Sequence, residues 1–189
     1  MKVLVTGTST GIGRGIAEKF LAEGHTVIGL DVAESTIAHE NYAHYIADVA
    51  CPEQLPAVEG VEILINNAGV QDSGRDIDVN LRGTIYCTEK YGIQPNIKSI
   101  VMTASVSAHN GAEFPEYCAS KGGVLAYTKN VALRVAKYGA TCNSISAGGV
   151  ITELNAHILE NPALWDQVMA ETLLPKWATV EEMAEWTYF

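Results

Sequence analysis

Apolar residues along this chain gather in short runs separated by longer stretches of helical period, the pattern of alternating strands and helices. KVLVT, Lys2 to Thr6, is the first run, and TGTSTGIG leads from it into a helical pattern that opens at Arg14. That helix passes through Phe20 and Leu21 and stops at Gly24, a suitable closing residue. HTVIGLD, ending at Asp31, reads as the second strand, and HYIADV, His44 to Val49, as the third, with Asp48 at its end. VEILINNAG is the fourth, running into Asn66, Asn67, Ala68 and Gly69. From Asp76 a helical pattern places Ile77, Leu81, Ile85 and Tyr86 on one face, with Asn80 among them. IKSIVMTAS is the fifth strand, residues Pro115 to Tyr138 form a long helix, and ATCNSISAG is the sixth strand. Beyond it TELNAHILENPALWDQVMAETL reads as one or two amphipathic helices. Thr179 and Glu182 then have capping-box spacing and open a helix still running at Phe189.

Strands alternating with helix-length connections imply an α/β fold, a doubly wound parallel sheet with ligands in the crevice at the strand carboxyl ends. At 189 residues the chain is expected to form one domain, residues 1–189, with 151–174 inserted as a lid over the substrate. A net charge of -10 argues against general affinity for nucleic acid or an anionic membrane surface, so any phosphate must be held locally. The apolar runs are too short to span a bilayer, and Met1 leads directly into a strand, so a cytoplasmic protein is expected. Cys51, Cys87, Cys118 and Cys142 have no C-x-x-C spacing and the histidines no H-x-x-x-H spacing, so neither a disulfide framework nor a metal is expected.

The chemistry is carried by a few positions. Gly7, Gly11 and Gly13, between a strand and a helix, permit a tight turn and close approach of a pyrophosphate to the positive end of the helix. Asp31, at the end of the second strand, is placed to bond the adenosine ribose hydroxyls. Its charge would repel a 2′-phosphate, and no basic residue follows at Val32 or Ala33, so NAD(H) is favoured over NADP(H). Tyr117 and Lys121 are one helical turn apart, and a nearby ammonium lowers the pKa of a phenol toward the range of general acid–base chemistry. Ser105, at the end of the fifth strand, would hold the substrate oxygen.

Together these residues closely resemble the short-chain dehydrogenase/reductase family along nearly the whole chain. The family's T-G-x-x-x-G-x-G motif falls on Thr6, Gly7, Gly11 and Gly13, its N-N-A-G on Asn66 to Gly69, and its active-site Asn, Ser, Tyr and Lys on Asn80, Ser105, Tyr117 and Lys121. The resemblance implies a Rossmann-type sheet of about six strands in the order 3-2-1-4-5-6, with helices on both faces. It also implies a cofactor cradled by Gly7, Ser9, Thr10, Gly11, Ile12 and Gly13, with Asp31 at the ribose and Asp48 and Val49 at the adenine. Asn67, Ala68, Gly69 and Tyr117 would line the cofactor, Lys121 would bind the nicotinamide ribose, and Val150 and Thr152 would bind the carboxamide and nearby phosphate. Tyr117 would exchange a proton with the substrate oxygen, Ser105 would polarise the carbonyl, and Asn80 would hold a water linking Lys121 to solvent.

The implied activity is NAD(H)-dependent interconversion of a secondary alcohol and a ketone, resembling a 3-oxoacyl-acyl-carrier-protein reductase, by a homodimer or homotetramer. The rival reading is a regulator that binds NAD(H) without turnover. His109 to Glu116 and Thr152 to Leu174 would shape the substrate pocket. Three features depart from the family pattern: Ala147-Gly148 replaces Pro-Gly, only eight residues separate Gly69 from Asp78, and a last strand is expected to be missing after the final helix.

Overall fold

A computed structural model describes residues 1–112 and 114–189; Glu113, within the segment read as pocket-shaping, lies outside the described residues. Six parallel strands, β1 (Lys2–Thr6), β2 (Thr26–Asp31), β3 (Tyr42–Ile46), β4 (Ile63–Asn66), β5 (Ser99–Ser105) and β6 (Thr141–Ala147), form one sheet in the order β3-β2-β1-β4-β5-β6. The order is the one the resemblance implies.

Side chains alternate across this sheet, so each strand feeds two cores. Val3, Val5, Val27, Ile63 and Ile65 pack on one face with Ile16, Ala17, Phe20 and Leu21 of α1 (Gly11–Ala22). Leu4, Ile28, Leu30, Leu64, Ile100 and Met102 face the other way, against a helical rod over residues 77–92 and the long helix after β5. The rod contains the α-helical turn α2 (Thr84–Cys87), and the later helices are α3 (Ser107–Asn110), α4 (Pro115–Val135), α5 (Ala156–Leu159), α6 (Pro162–Ala170) and α7 (Val180–Tyr188).

Several boundaries differ from the sequence reading. The first helix starts at Gly11 instead of Arg14, because the end of the glycine turn is itself the first helical turn. It closes with paired bonds from the Gly24 N–H to the Leu21 carbonyl and from the His25 N–H to the Phe20 carbonyl, with Gly24 at φ 79°. β3 ends at Ile46, so Asp48 and Val49 belong to the turn after it.

The rod 77–92 is helical as expected but underwound into π turns, Ile77–Gly83 and Thr88–Gly92, on either side of α2. Its buried positions are Val79, Asn80, Gly83, Thr84, Cys87, Thr88, Tyr91 and Gly92, whereas Ile77, Leu81, Ile85 and Tyr86 are only half-buried. The sheet side takes small and hydroxylated residues because the helix approaches closely there. Their hydroxyls are satisfied locally, the Thr84 hydroxyl donating to the Asn80 carbonyl and the Thr88 hydroxyl accepting from the Asn66 amide.

The segment after β6 leaves the sheet, forms a short 3-10 turn (Glu153–Asn155), α5 and α6, and returns to pair Ala178 with Val150. Trp177 lies on the Gly149 backbone so closely that a Cβ there would fall 2.2 Å from the indole ring. The capping box at Thr179 and Glu182 then starts α7, which covers α1 through the Lys19–Glu185 ion pair and the Phe20–Tyr188 edge contact.

Candidate active site

The carboxyl ends of β1, β4 and β5 carry the site. At β1 the chain turns at Gly7 and enters α1, whose first turn contains no acidic residue and whose N-cap Thr10 makes no side-chain cap bond. The amides at this helix end are therefore not taken up by a side-chain cap, which fits an anionic phosphate. Gly13 is fixed by close approach: a Cβ on it would sit 2.0 Å from the Gly7 carbonyl oxygen and 2.4 Å from Asn67 Nδ2. Thr152 comes within 3.5 Å of where a Gly11 Cβ would be, which brings the loop after β6 to the glycine turn. Glu153 comes within 3.7 Å of the same point, so the local side-chain charge does not favour an anion and only directed amides could. The glycine turn thus fits the pyrophosphate of a dinucleotide.

Thr6 locks the turn to the next strand, its hydroxyl accepting the Asn67 and Ala68 N–H groups at 3.0 and 2.9 Å. Asn67 reaches back to the Thr6 carbonyl and accepts the Thr103 hydroxyl. One strand outward, the Asp31 carboxylate accepts the Ser9 N–H at 2.9 Å and the Ala33 N–H at 3.0 Å. Those bonds fix its position beside the cradle and leave carboxylate lone pairs for ribose hydroxyls. Asp48 accepts the Ala50 N–H and pairs with Arg75 at 2.7 Å. Partial burial pushes its carboxyl up, but the Arg75 hydrogen bond, the Ala50 amide and the guanidinium charge outweigh this and hold it below the usual carboxylate range.

The other half of the site converges on Lys121, which is 4% exposed and donates to the Thr103 carbonyl at 2.9 Å. Its ammonium lies 5.8 Å from the centre of the Tyr117 ring. Asn80 Oδ1 and Lys121 Nζ both come within about 3.3 Å of where a Gly69 Cβ would stand, at 3.1 and 3.3 Å, so the three residues meet at one point. The Asn80 side chain clamps Val70 through both its N–H and its carbonyl, and donates to Ser120, whose hydroxyl donates to the Tyr117 carbonyl. Ser105, at the end of β5, is buried and exchanges bonds with Ser107 at 3.2 Å.

The short connection before Asn80 is closed by the Asp76 carboxylate, which accepts the Asp72 and Ser73 N–H groups and the Ser73 hydroxyl. Ser120, Asp76, Arg75 and Trp177 were not singled out from the sequence. Only Ser120, one residue before Lys121, carried a positional hint.

Burial pushes the Lys121 ammonium down to about 8, against a smaller upward pull from Asp76. As pH rises through that value Lys121 loses its charge and its favourable effect on a Tyr117 phenolate. In NMR of the cofactor-free protein with 13C-labelled lysine, one side chain is expected to titrate near pH 8 and to vanish in Lys121→Met. If every lysine instead titrates above about 10, the usual range, the ammonium is not desolvated as the geometry requires.

The family described as enoyl-(acyl carrier protein) reductase matches residues 7–189. This chain belongs to the short-chain dehydrogenases/reductases. It is 29% identical to the 2-(R)-hydroxypropyl-CoM dehydrogenase of Xanthobacter autotrophicus, over 98% of this chain and 89% of that protein. Its fold superposes on the 3-oxoacyl-[acyl-carrier protein] reductase of Brucella melitensis in complex with NAD with a TM-score of 0.83 and 26% identity, covering 98% of this chain and 87% of that one. A putative 2-deoxy-D-gluconate 3-dehydrogenase of Agrobacterium tumefaciens with bound NADP gives 0.90 and 25%, covering 100% and 87%. The protein is therefore an oxidoreductase of this family, with a small-molecule substrate and a nicotinamide dinucleotide cofactor. The reading as a non-catalytic regulator finds no support in these relatives.

Proposed function

We propose that this dehydrogenase/reductase interconverts a secondary alcohol and a ketone with NAD(H), using Tyr117 as the proton-transferring group. The observation that carries the reading is the buried Lys121 ammonium beside the Tyr117 ring, at the point where Asn80 and Gly69 meet. The cofactor supplies a hydride to the carbonyl carbon or takes one from the alcohol carbon. In the reductive direction the Tyr117 phenol gives its proton to the substrate oxygen, and the Lys121 ammonium stabilises the phenolate left behind. In the oxidative direction the phenolate takes that proton back. With substrate present the Ser105 hydroxyl turns its hydrogen from Ser107 to the substrate oxygen, while Asn80 fixes Val70 and, through Ser120, the first turns of α4. The 151–174 segment closes over the substrate, with Val150 and Thr152 at its base toward the cofactor.

Asp31 supports NAD(H) over NADP(H). Its carboxylate is fixed by Ser9 and Ala33 where a 2′-phosphate would stand, and the next residues, Val32 and Ala33, carry no positive charge. The wild type is expected to show a kcat/KM for NAD(H) at least about tenfold above that for NADP(H), equivalent to about 1.4 kcal/mol. Asp31→Ser with Val32→Arg is expected to narrow or reverse the ratio by removing the repulsion and adding a phosphate partner. Equal values in the wild type would overturn the assignment.

A further inference from the structure

We propose that Arg75 is a purine-binding residue: its guanidinium, anchored on Asp48, forms the outer wall of the subsite for the adenine half of the cofactor. The inference rests on the nicotinamide-nucleotide reading above and extends it to a residue brought in by the short connection between β4 and the 77–92 rod.

The direction of the cleft places the base. The phosphate cradle sits at the end of β1 and Asp31, the ribose partner, at the end of β2, so a nucleotide running outward next meets the end of β3. The Ala47 N–H donates to the Asp31 carbonyl at 2.8 Å, keeping the 47–49 segment against the end of β2 as the floor of that space. Val49 is buried, and the rod presses on it so closely that a Cβ on Gly83 would lie 2.6 Å from a Val49 methyl.

Arg75 enters from the opposite side. It follows Gly74, at φ 73°, and Asp72, at φ 52°, in a loop whose backbone is gathered by the Asp76 carboxylate. Asp, like Gly, is tolerated in the left-handed region, and the turn these two residues make leads into Arg75, which reaches Asp48. Arg75 Nη2 donates to Asp48 Oδ2 at 2.7 Å, while the Arg75 side chain remains 53% exposed. One edge of the guanidinium is thus fixed and part of its surface stays open. An ion pair this exposed adds little to folding, but a planar cation held in place is suited to stack on a purine. The same loop begins at Gly69, beside Lys121 and Asn80, so it spans both ends of the cleft.

The experiment measures dissociation constants of NAD, AMP and nicotinamide mononucleotide by calorimetry for the wild type, Arg75→Ala, Arg75→Lys and Asp48→Asn. Arg75→Ala is expected to bind NAD and AMP about three- to thirtyfold more weakly, with nicotinamide mononucleotide changed by less than about twofold. Arg75→Lys, which keeps the charge but not the plane, is expected to lose most of the same affinity. Asp48→Asn, which frees the guanidinium without removing it, is expected to lose part of it. Unchanged AMP binding by Arg75→Ala would overturn the proposal, as would an equal loss for nicotinamide mononucleotide, which would mark general disruption of the loop. If the wild type bound no NAD at all, the nucleotide reading itself would fall, and the inference with it.

Discussion

Replacing Tyr117 with Phe is expected to lower kcat by about 10²- to 10⁴-fold, the range that a positioned general acid contributes, while NAD(H) affinity stays within about threefold. The substitution deletes one hydroxyl and leaves the ring beside the Lys121 ammonium, so packing and cofactor contacts persist. The pH profile should change with it. The wild-type rate in the reductive direction is expected to fall at high pH as the Tyr117–Lys121 pair loses its protons, and the residual rate of the Phe variant should lack that limb. Steady-state kinetics with any good alcohol or ketone, with fluorescence titration of NADH, provides the check. Retention of more than about a tenth of wild-type kcat would show that another group carries the proton.

Gly13→Ala is expected to cost both stability and cofactor binding. The added methyl would stand 2.0 Å from the Gly7 carbonyl oxygen, 2.4 Å from Asn67 Nδ2 and 2.8 Å from the Gly7 carbonyl carbon. Two of these are backbone atoms of the turn itself, and Asn67 is held by its bonds to Thr6. The turn must therefore open, which moves the α1 amides away from the phosphates. Overpacking of this kind costs about 1–3 kcal/mol, or about 2–4 °C in Tm per kcal/mol for a chain of this size. Thermal unfolding by circular dichroism and a calorimetric NAD titration test it together. A variant with wild-type Tm and wild-type affinity would show that the glycine turn is not tight.

Much of this was readable in the chain itself. The short β-branched runs gave the strands because a parallel sheet covered on both faces needs apolar residues on both, and the glycine turn, Asp31 and the capping box announce themselves through local backbone chemistry. The order Asn80, Ser105, Tyr117, Lys121 also survives as linear spacing, with Asn80 in the 77–92 rod, Ser105 at the end of β5, and Tyr117 and Lys121 one turn apart on α4. What the linear pattern could not show depends on partners far apart in sequence. The underwinding of 77–92 and the burial of Gly83, Thr84 and Thr88 instead of Ile77 and Ile85 arise where the rod packs on the sheet and beside α4. The Arg75–Asp48 pair joins residues on loops from opposite sides of β1 and β2. Trp177 on Gly149 joins the two ends of a long excursion, and no local periodicity encodes such a contact.

That last contact, with the Val150–Ala178 bridge, means that the chain leaves the sheet region and re-enters it at the same place. The pinned ends make the intervening stretch an exchangeable cassette. Because closing a longer loop costs only about 0.6 kcal/mol for each doubling of its length, the cassette can shrink or grow while the sheet it is pinned to stays fixed. Insertions and deletions there are absorbed between two fixed points and leave the register of the sheet untouched.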